Sequence, residues 1–478
     1  MAFTEFCCKS GGSNLNAGTR TGSSTVPGVA ADFTYASGTW VSATGVFTVA
    51  SGDPVADGVA VGDFASVYAD GASVTTLVGR VTARTTTTIT VSLTVKAGTT
   101  TDGTSNRTLK IGGAWAGPNG TDGFPFNISL WACQNTAGDP PRINVKSATY
   151  SITAAITQSG ASGMYQGFGS SYGDGGTRPV IDGGTTGASY VLLNITGTGN
   201  SIENIEFANN GATGTAALVT IASFIISAVV SCVFRNSRGA GLSCASGGSI
   251  LVDECEAFLC NASNTASGAG IVTGNAAILN TISHDNAGSN SSGFYVAGGA
   301  ALINCIADTN GQHGFSLAVN TIGIVISNCD AYGNTGSGIV ATVSGNRSYI
   351  RIRNTNVVSN GAWGLLAALA ASQTQSFRLM ISNMGYHNNT SGTKSIGAGW
   401  LLTDAGEVSL GAVPYNAPTT GDFRITLAAA KGAGRGVFTQ TQASYTGAVG
   451  YPDIGAAQHA DSGGGGIPIA RGMHGGMR

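Results

Sequence analysis

From about residue 200 to residue 390, apolar and polar positions recur with a period in the twenties. NCIADTN (304–310) and NCDAYGN (328–334) share Asn, Cys, Ala and Asn at matching places. With the residue in the Cys305 place as an anchor, the series is Ile205, Cys232, Cys255, Thr281, Cys305, Cys329, Thr355 and Met384. Three residues before each anchor lies a branched aliphatic: Ile202, Val229, Val252, Ile278, Leu302, Ile326, Ile352 and Ile381. Asn precedes the anchor in Asn204, Asn280, Asn304, Asn328, Asn354 and Asn383. It returns five places later in Asn210, Asn286, Asn310, Asn334, Asn360 and Asn389. Glycine and an apolar pair follow, as in GFSL, GIVA and GLLA. A fixed period of this length is the signature of a solenoid.

Each repeat reads as strand, Asn corner, short strand, Asn-Gly corner, strand. Strand side chains alternate between faces, so the anchor and the residue two beyond it point inward. Asn tolerates left-handed backbone and is expected at both corners. Successive coils lie about 4.8 Å apart. Each column then becomes a ladder whose amides bond to the coils above and below. The expected ladder comprises Cys232, Cys255, Cys305 and Cys329, the corner residues Asn280, Asn304, Asn328 and Asn354, and Asn310, Asn334 and Asn360. Parallel Cβ vectors in register make disulfides between rungs awkward.

This pattern and several further segments resemble the right-handed parallel β-helix, or pectin-lyase-like, family. FCCKSGGSNLNAGT (6–19) resembles its opening strand, and AGDPPRINVKSATY (137–150) its GD-x-I-x-V-x-x-GTY segment, with Ala148 in place of Gly. GDFRITLAAAKGAG (421–434) and PDIGAAQ (452–458) resemble the closing segments, without the usual Ser-Pro and with Gln458 in place of an acid. The resemblance implies an all-β solenoid whose first strand is 1–20, whose coils occupy 116–400, and which closes over 401–461. Residues 21–115 then form an insertion. Their β-branched runs and Asp-Gly turns read as hairpins of a small all-β sandwich or barrel. ARTTTTITVSL within it is an expected pairing edge. The tail SGGGGIPIARGMHGGMR (462–478) reads as a flexible linker followed by a docking peptide for a neighbouring subunit or another surface protein.

Composition narrows the function. Only 10% of the 478 residues are charged, the net charge is −2, and there are 74 glycines. No basic run suits an electrostatic nucleic-acid stripe, and no apolar run reaches the length of a membrane span. The start, MAFTEFCCKSGGSN, lacks a secretory-signal pattern, so export by another route, virion assembly included, is expected. The nine cysteines show no C-x-x-C pair and read as small buried hydrophobes. No metal or cofactor is expected.

Positions one and three beyond each anchor point outward. They gather Glu256, His284, Asp308, Asp330 and Tyr332 on neighbouring coils. Asp308 and Asp330 should lie about 8 Å apart, a separation suited to inverting glycosidases. The same residues suit glycan binding without cleavage, or a plain solvated face. The family's lyases use clustered acids with a basic residue, but Arg235, Arg351, Arg353 and Arg378 lie away from this patch. Two readings follow. One is a structural and adhesive homo-oligomer, a trimer or filament, of phage-appendage or surface-filament type. The other is a polysaccharide lyase or glycoside hydrolase.

Overall fold

In a computed structural model of the chain, the structure describes residues 4–10, 17, 30–70, 77–92, 103–113, 141–158, 163–222, 227–244, 249–265, 268–319, 323–343, 349–369 and 377–430. The docking tail 462–478, the PDIGAAQ segment and Cys133 lie outside the described residues. Among the described residues the secondary structure is all-β apart from one short 3-10 turn, Pro418–Thr420. No helix among the described residues is long and apolar enough to cross a membrane. The chain divides into two compact units, residues 1–184 with 191–208 and residues 185–190 with 209–478.

In the first unit, Thr4–Cys8 pairs in parallel with Pro141–Lys146, Thr4 opposite Pro141. Pro141–Lys146 in turn pairs with Met164–Phe168. Between these sequence-distant neighbours the chain builds a closed antiparallel barrel. Its strands, in spatial order, are Phe33–Val41, Val46–Thr48, Thr88–Val91, Leu77–Arg84, Phe64–Ala69 and Gly103–Ile111. The buried side chains of Tyr35, Trp40, Phe47, Val67, Ile89 and Leu109 fill it. The Thr-rich run is therefore not an edge. Thr88–Val91 pairs with Val46–Thr48 on one side and Leu77–Arg84 on the other, because closure of a small sheet removes its edges.

The second unit is a parallel β-helix with three rows of strands. The first row includes Ile250–Asp253, Ala276–Leu279, Ala300–Ile303 and Ile324–Ser327. The second includes Glu256–Phe258, Ile282–His284, Ile306–Asp308 and Asp330–Tyr332. The third runs from Val219–Ile221 to Gly392–Ile396. At Tyr349–Val358 and Phe377–His387 the first and second rows merge into single strands. The aliphatic column and every anchor residue are buried.

The two Asn columns do different work. The residue before the anchor is the corner: Asn280, Asn304, Asn328, Asn354 and Asn383 have φ between 46° and 56°. Ser231 and Glu254 hold the same conformation where Asn is missing. These corner amides bond to one another along the stack, Asn304 Nδ2 to Asn280 Oδ1 at 3.1 Å and Asn354 Nδ2 to Asn328 Oδ1 at 3.2 Å.

The second column is not a corner, contrary to expectation. The left-handed residue at that bend is the one before it: Asp285, Thr309, Gly333, Ser359 and Asn388. Asn286, Asn310, Asn334 and Asn360 instead point into the interior, almost fully buried. Asn286 Nδ2 donates to Asn310 Oδ1 at 2.7 Å, Asn310 to Asn334 at 2.9 Å, Asn334 to Asn360 at 2.9 Å and Asn360 to Asn389 at 2.8 Å. Each acceptor oxygen also takes a backbone N–H of the preceding coil, as Asn334 Oδ1 does from Asn310 N at 3.1 Å. The second N–H of Asn310, Asn334 and Asn360 reaches the carbonyl of Ser283, Ala307 and Ala331. A buried amide costs stability unless its donors and acceptors are met, and these are. The glycine that follows is part of the same device. A Cβ at Gly293 or Gly338 would stand 2.8 or 2.9 Å from the Nδ2 of Asn310 or Asn360.

The anchor thiols stack beside this ladder. Cys329 Sγ lies 3.5 Å from Cys305 N. The eight described cysteines are free and buried, and burial pushes the Cys260 and Cys244 thiols up to about 12.

Asn334→Ala removes two donors and an oxygen that accepts twice, leaving buried partners unmet. It should lower stability by roughly 3 kcal/mol or more, seen as a lower urea midpoint. Thr335→Ala, at the exposed neighbour, should leave the midpoint in place. An unchanged midpoint for Asn334→Ala means the ladder does not hold the coils.

Candidate functional site

The second row carries the expected outward face. Pairing aligns Phe258 with His284, His284 with Asp308, and Asp308 with Tyr332, one per coil. The parallel column aligns Glu256 with Ile282, Ile306 with Asp330, and Asp330 with Asn356. The five expected residues therefore share one face.

That face is not open along its length. Tyr415–Ala417 and Asp422–Ile425 form an antiparallel hairpin that packs over the second-row coils. Leu410, Tyr415, Phe423, Ile425 and Ala430 cluster with Ile282, Ile306 and Val358. This explains the outward isoleucines, which would otherwise expose apolar surface to water. Tyr332 is half-buried at its margin, its ring edge-on to Tyr415 and Phe423 at 5.8 and 5.9 Å.

Asp330 lies beneath the hairpin at 0% exposure. Tyr415 Oη donates to its Oδ1 at 2.7 Å and Asn356 Nδ2 donates to the same oxygen at 3.0 Å. Burial, followed by the charge of Asp330 and the hydrogen bond to it, holds the Tyr415 hydroxyl well above its usual range. The expectation that Asp330 sits on a solvated face beside Asp308 is thus corrected. Alternation does aim it out of the solenoid, but later chain covers it. A sugar could not reach it without displacing the hairpin.

Beyond the hairpin cluster the row holds His284, whose side chain is mostly buried. Its Nδ1 lies 2.8 Å from Asp285 Oδ2 and its Nε2 lies 3.0 Å from Glu256 Oε1. The ring stacks on Phe258 with centroids 5.2 Å apart and planes 12° from parallel. Burial alone would lower the imidazole, but the hydrogen bonds and charges of Asp285 and Glu256 outweigh it and raise the group to about 9. Two carboxylates facing both ring nitrogens call for a donor at each, so the ring is an imidazolium near neutral pH. Asp285 was not anticipated. Its only trace in the sequence was its place directly after His284. Asp308, half-buried on the next coil, accepts from Thr309 Oγ1 at 2.6 Å.

The other histidines stand apart. His387 Nδ1 lies 2.8 Å from the Leu410 carbonyl, and His313 is half-buried and accepts the Ser337 N–H at 3.0 Å. Among the described residues no group of three or more His, Cys, Asp or Glu side chains is placed to hold a metal ion. The arrangement offers a fixed cation flanked by carboxylates, with the Phe258 ring stacked on it.

The His284 group rises on folding from about 6.5 to about 9. Its stabilising contribution should be complete below pH 6.5 and fade as pH climbs through 9. His284→Gln should flatten that part of the stability–pH curve. A His284 resonance titrating near 6.5 would contradict the bracket.

No protein-family model matches the chain, and no curated protein matches it. Among solved structures, the chain is similar to pectate lyase Pel9A at 17% identity and a TM-score of 0.48, over 70% of this chain and 91% of that one. It is similar to the periplasmic alginate epimerase AlgG at 12% identity and a TM-score of 0.38, over 56% and 77%. It is also similar to the Dettilon tailspike protein at 12% identity and a TM-score of 0.35, over 61% and 67%. At these identities the likeness is one of fold.

Proposed function

We propose that the protein is a structural and adhesive β-helix, a virion appendage or surface-filament subunit that assembles with copies of itself and holds glycan on its outer face. The observation that carries this reading is the seal over Asp330. One of the two carboxylates that a hydrolytic pair would need is a hydrogen-bond partner of Tyr415 and Asn356 under an apolar hairpin. Glu256 and Asp285 are bonded to His284, so they act as ligands of a cation rather than as a proton donor and its base. Aromatic rings with charged neighbours on a rigid sheet suit binding, since such a surface loses little entropy when a ligand settles on it.

A second reading, a polysaccharide lyase or glycoside hydrolase, is favoured by one feature. Asp308 lies on the coil next to a histidine held in its cationic form, and an acid and a base that close have the components of proton transfer.

Electron microscopy and light scattering of the full chain test the first reading. It expects filaments or a stable homo-oligomer at micromolar concentration, and a persistent monomer counts against it. For the second, Asp308→Ala should abolish cleavage of a responsive polysaccharide with the fold intact. Cleavage that survives Asp308→Ala removes this site from the chemistry.

A further inference from the structure

The first row turns an apolar strip outward. Inward and outward places alternate along Ile250–Asp253, Ala276–Leu279, Ala300–Ile303 and Ile324–Ser327. Pairing in register stacks Leu251, Ala277, Ala301, Val325 and Arg351 in one outward column. The next outward column holds Asp253, Leu279, Ile303, Ser327 and Arg353. Leu251, Leu279, Ile303 and Val325 are only half-buried. An open groove of about 570 Å³ follows the first column, lined by Leu251, Ala277 and Ala301, with Asn275, Gly299 and Gly323 beside them. A continuous aliphatic strip of this kind is stabilised by a further surface that removes it from water.

Charge sits at the two ends of the strip. Two coils before Ala300–Ile303 lies Asp253, followed by Glu254. Two coils after it lie Arg351 and Arg353. Asp253 Oδ1 accepts from Asn280 Nδ2 at 2.9 Å and Glu254 Oε2 from Ser231 Oγ at 2.9 Å. Arg353 Nε donates to Ser327 Oγ at 2.8 Å. Among the described residues, neither these two carboxylates nor these two guanidinium groups are ion-paired. Burial above all holds the Asp253 carboxyl above its usual range. Burial, then the charge of Arg351, holds the Arg353 guanidinium below its own. An opposite charge beside either group would reverse its shift.

We propose that the first-row face is the contact between two copies of this chain, packed antiparallel about a two-fold axis along the Ala300–Ile303 strand. Rotation about that axis sets each coil against the coil equally far on the other side, and keeps each column against itself. Asp253 then faces Arg353 of the second copy, and Leu251 faces the aliphatic stem of Arg351. Ala277 meets Val325, a small side chain against a larger one. Ala301 and Gly299 lie at the axis, where small residues let the two sheets approach. A two-fold contact needs a surface complementary to itself, and this one is. Parallel packing about the solenoid axis would instead set each coil against its own copy, Arg353 on Arg353 and Asp253 on Asp253, which like-charge repulsion opposes. The inference rests on the self-assembly part of the proposed function and deepens it by naming the surface and its symmetry.

Sedimentation velocity of the full chain over a micromolar concentration series tests this, with melting temperatures to check that each variant is folded. The wild-type chain should dimerise, more weakly as salt rises. Arg353→Glu and Asp253→Arg should each weaken the dimer by roughly tenfold or more. The two together should restore it, because each new acid then meets a new base, a rescue that parallel packing does not give. Ala301→Arg sets two like charges at the axis and should leave monomers, while Arg84→Glu in the barrel should change nothing. A double variant no stronger than the single ones overturns the antiparallel arrangement. Oligomers that survive Ala301→Arg overturn the face and leave self-assembly standing. A wild-type chain that stays monomeric removes both.

Discussion

The interior asparagine ladder is the constraint on which the solenoid depends. A coil of this kind buries amide side chains, which water would otherwise satisfy. Each of Asn310, Asn334 and Asn360 donates to the next rung and to a backbone carbonyl, and its oxygen accepts from the rung before. One rung out of register would leave several buried polar groups unmet, at a cost of 1–3 kcal/mol each by general experience. The ladder therefore sets the stacking register, and with it which outward residues become neighbours. The glycines beside it are tied to it by space, and the cysteines by shape.

A stacked core of this type leaves its faces and its first strand to be managed. Insertion of the barrel between Thr4–Cys8 and Pro141–Lys146 joins strands far apart in sequence, and Phe6 meets Phe64 of the barrel edge-on at 4.8 Å. Farther along, the hairpin at Tyr415–Ile425 covers the apolar part of the second-row face. Beyond the hairpin the same row holds His284, mostly buried between the carboxylates of Glu256 and Asp285.

Much of the site geometry follows from register alone. The columns Phe258–His284–Asp308–Tyr332 and Ile306–Asp330–Asn356 come directly from repeat spacings, because parallel pairing in register turns a sequence offset into a spatial neighbour. The Asp285 contact to His284 was harder to see. It depends on the left-handed bend at Asp285, and the same bend is held by Thr309, Ser359 and Asn388 in other coils, so no residue type marks it.

The sequence by itself determined the parallel β-helix, its coil register, the inward cysteines and the presence of a separate β domain, because each rests on local periodicity repeated many times. Only the tertiary structure decided that the second Asn column faces inward, that the Thr-rich run is closed into a barrel, and that Asp330 is covered. These outcomes depend on contacts between segments far apart in the chain. Tyr415 reaches Asp330 across 85 positions, and nothing in the repeat itself announces a cover for its outer face. Ile282 and Ile306, apolar at outward places, were the one trace of it that the sequence carried.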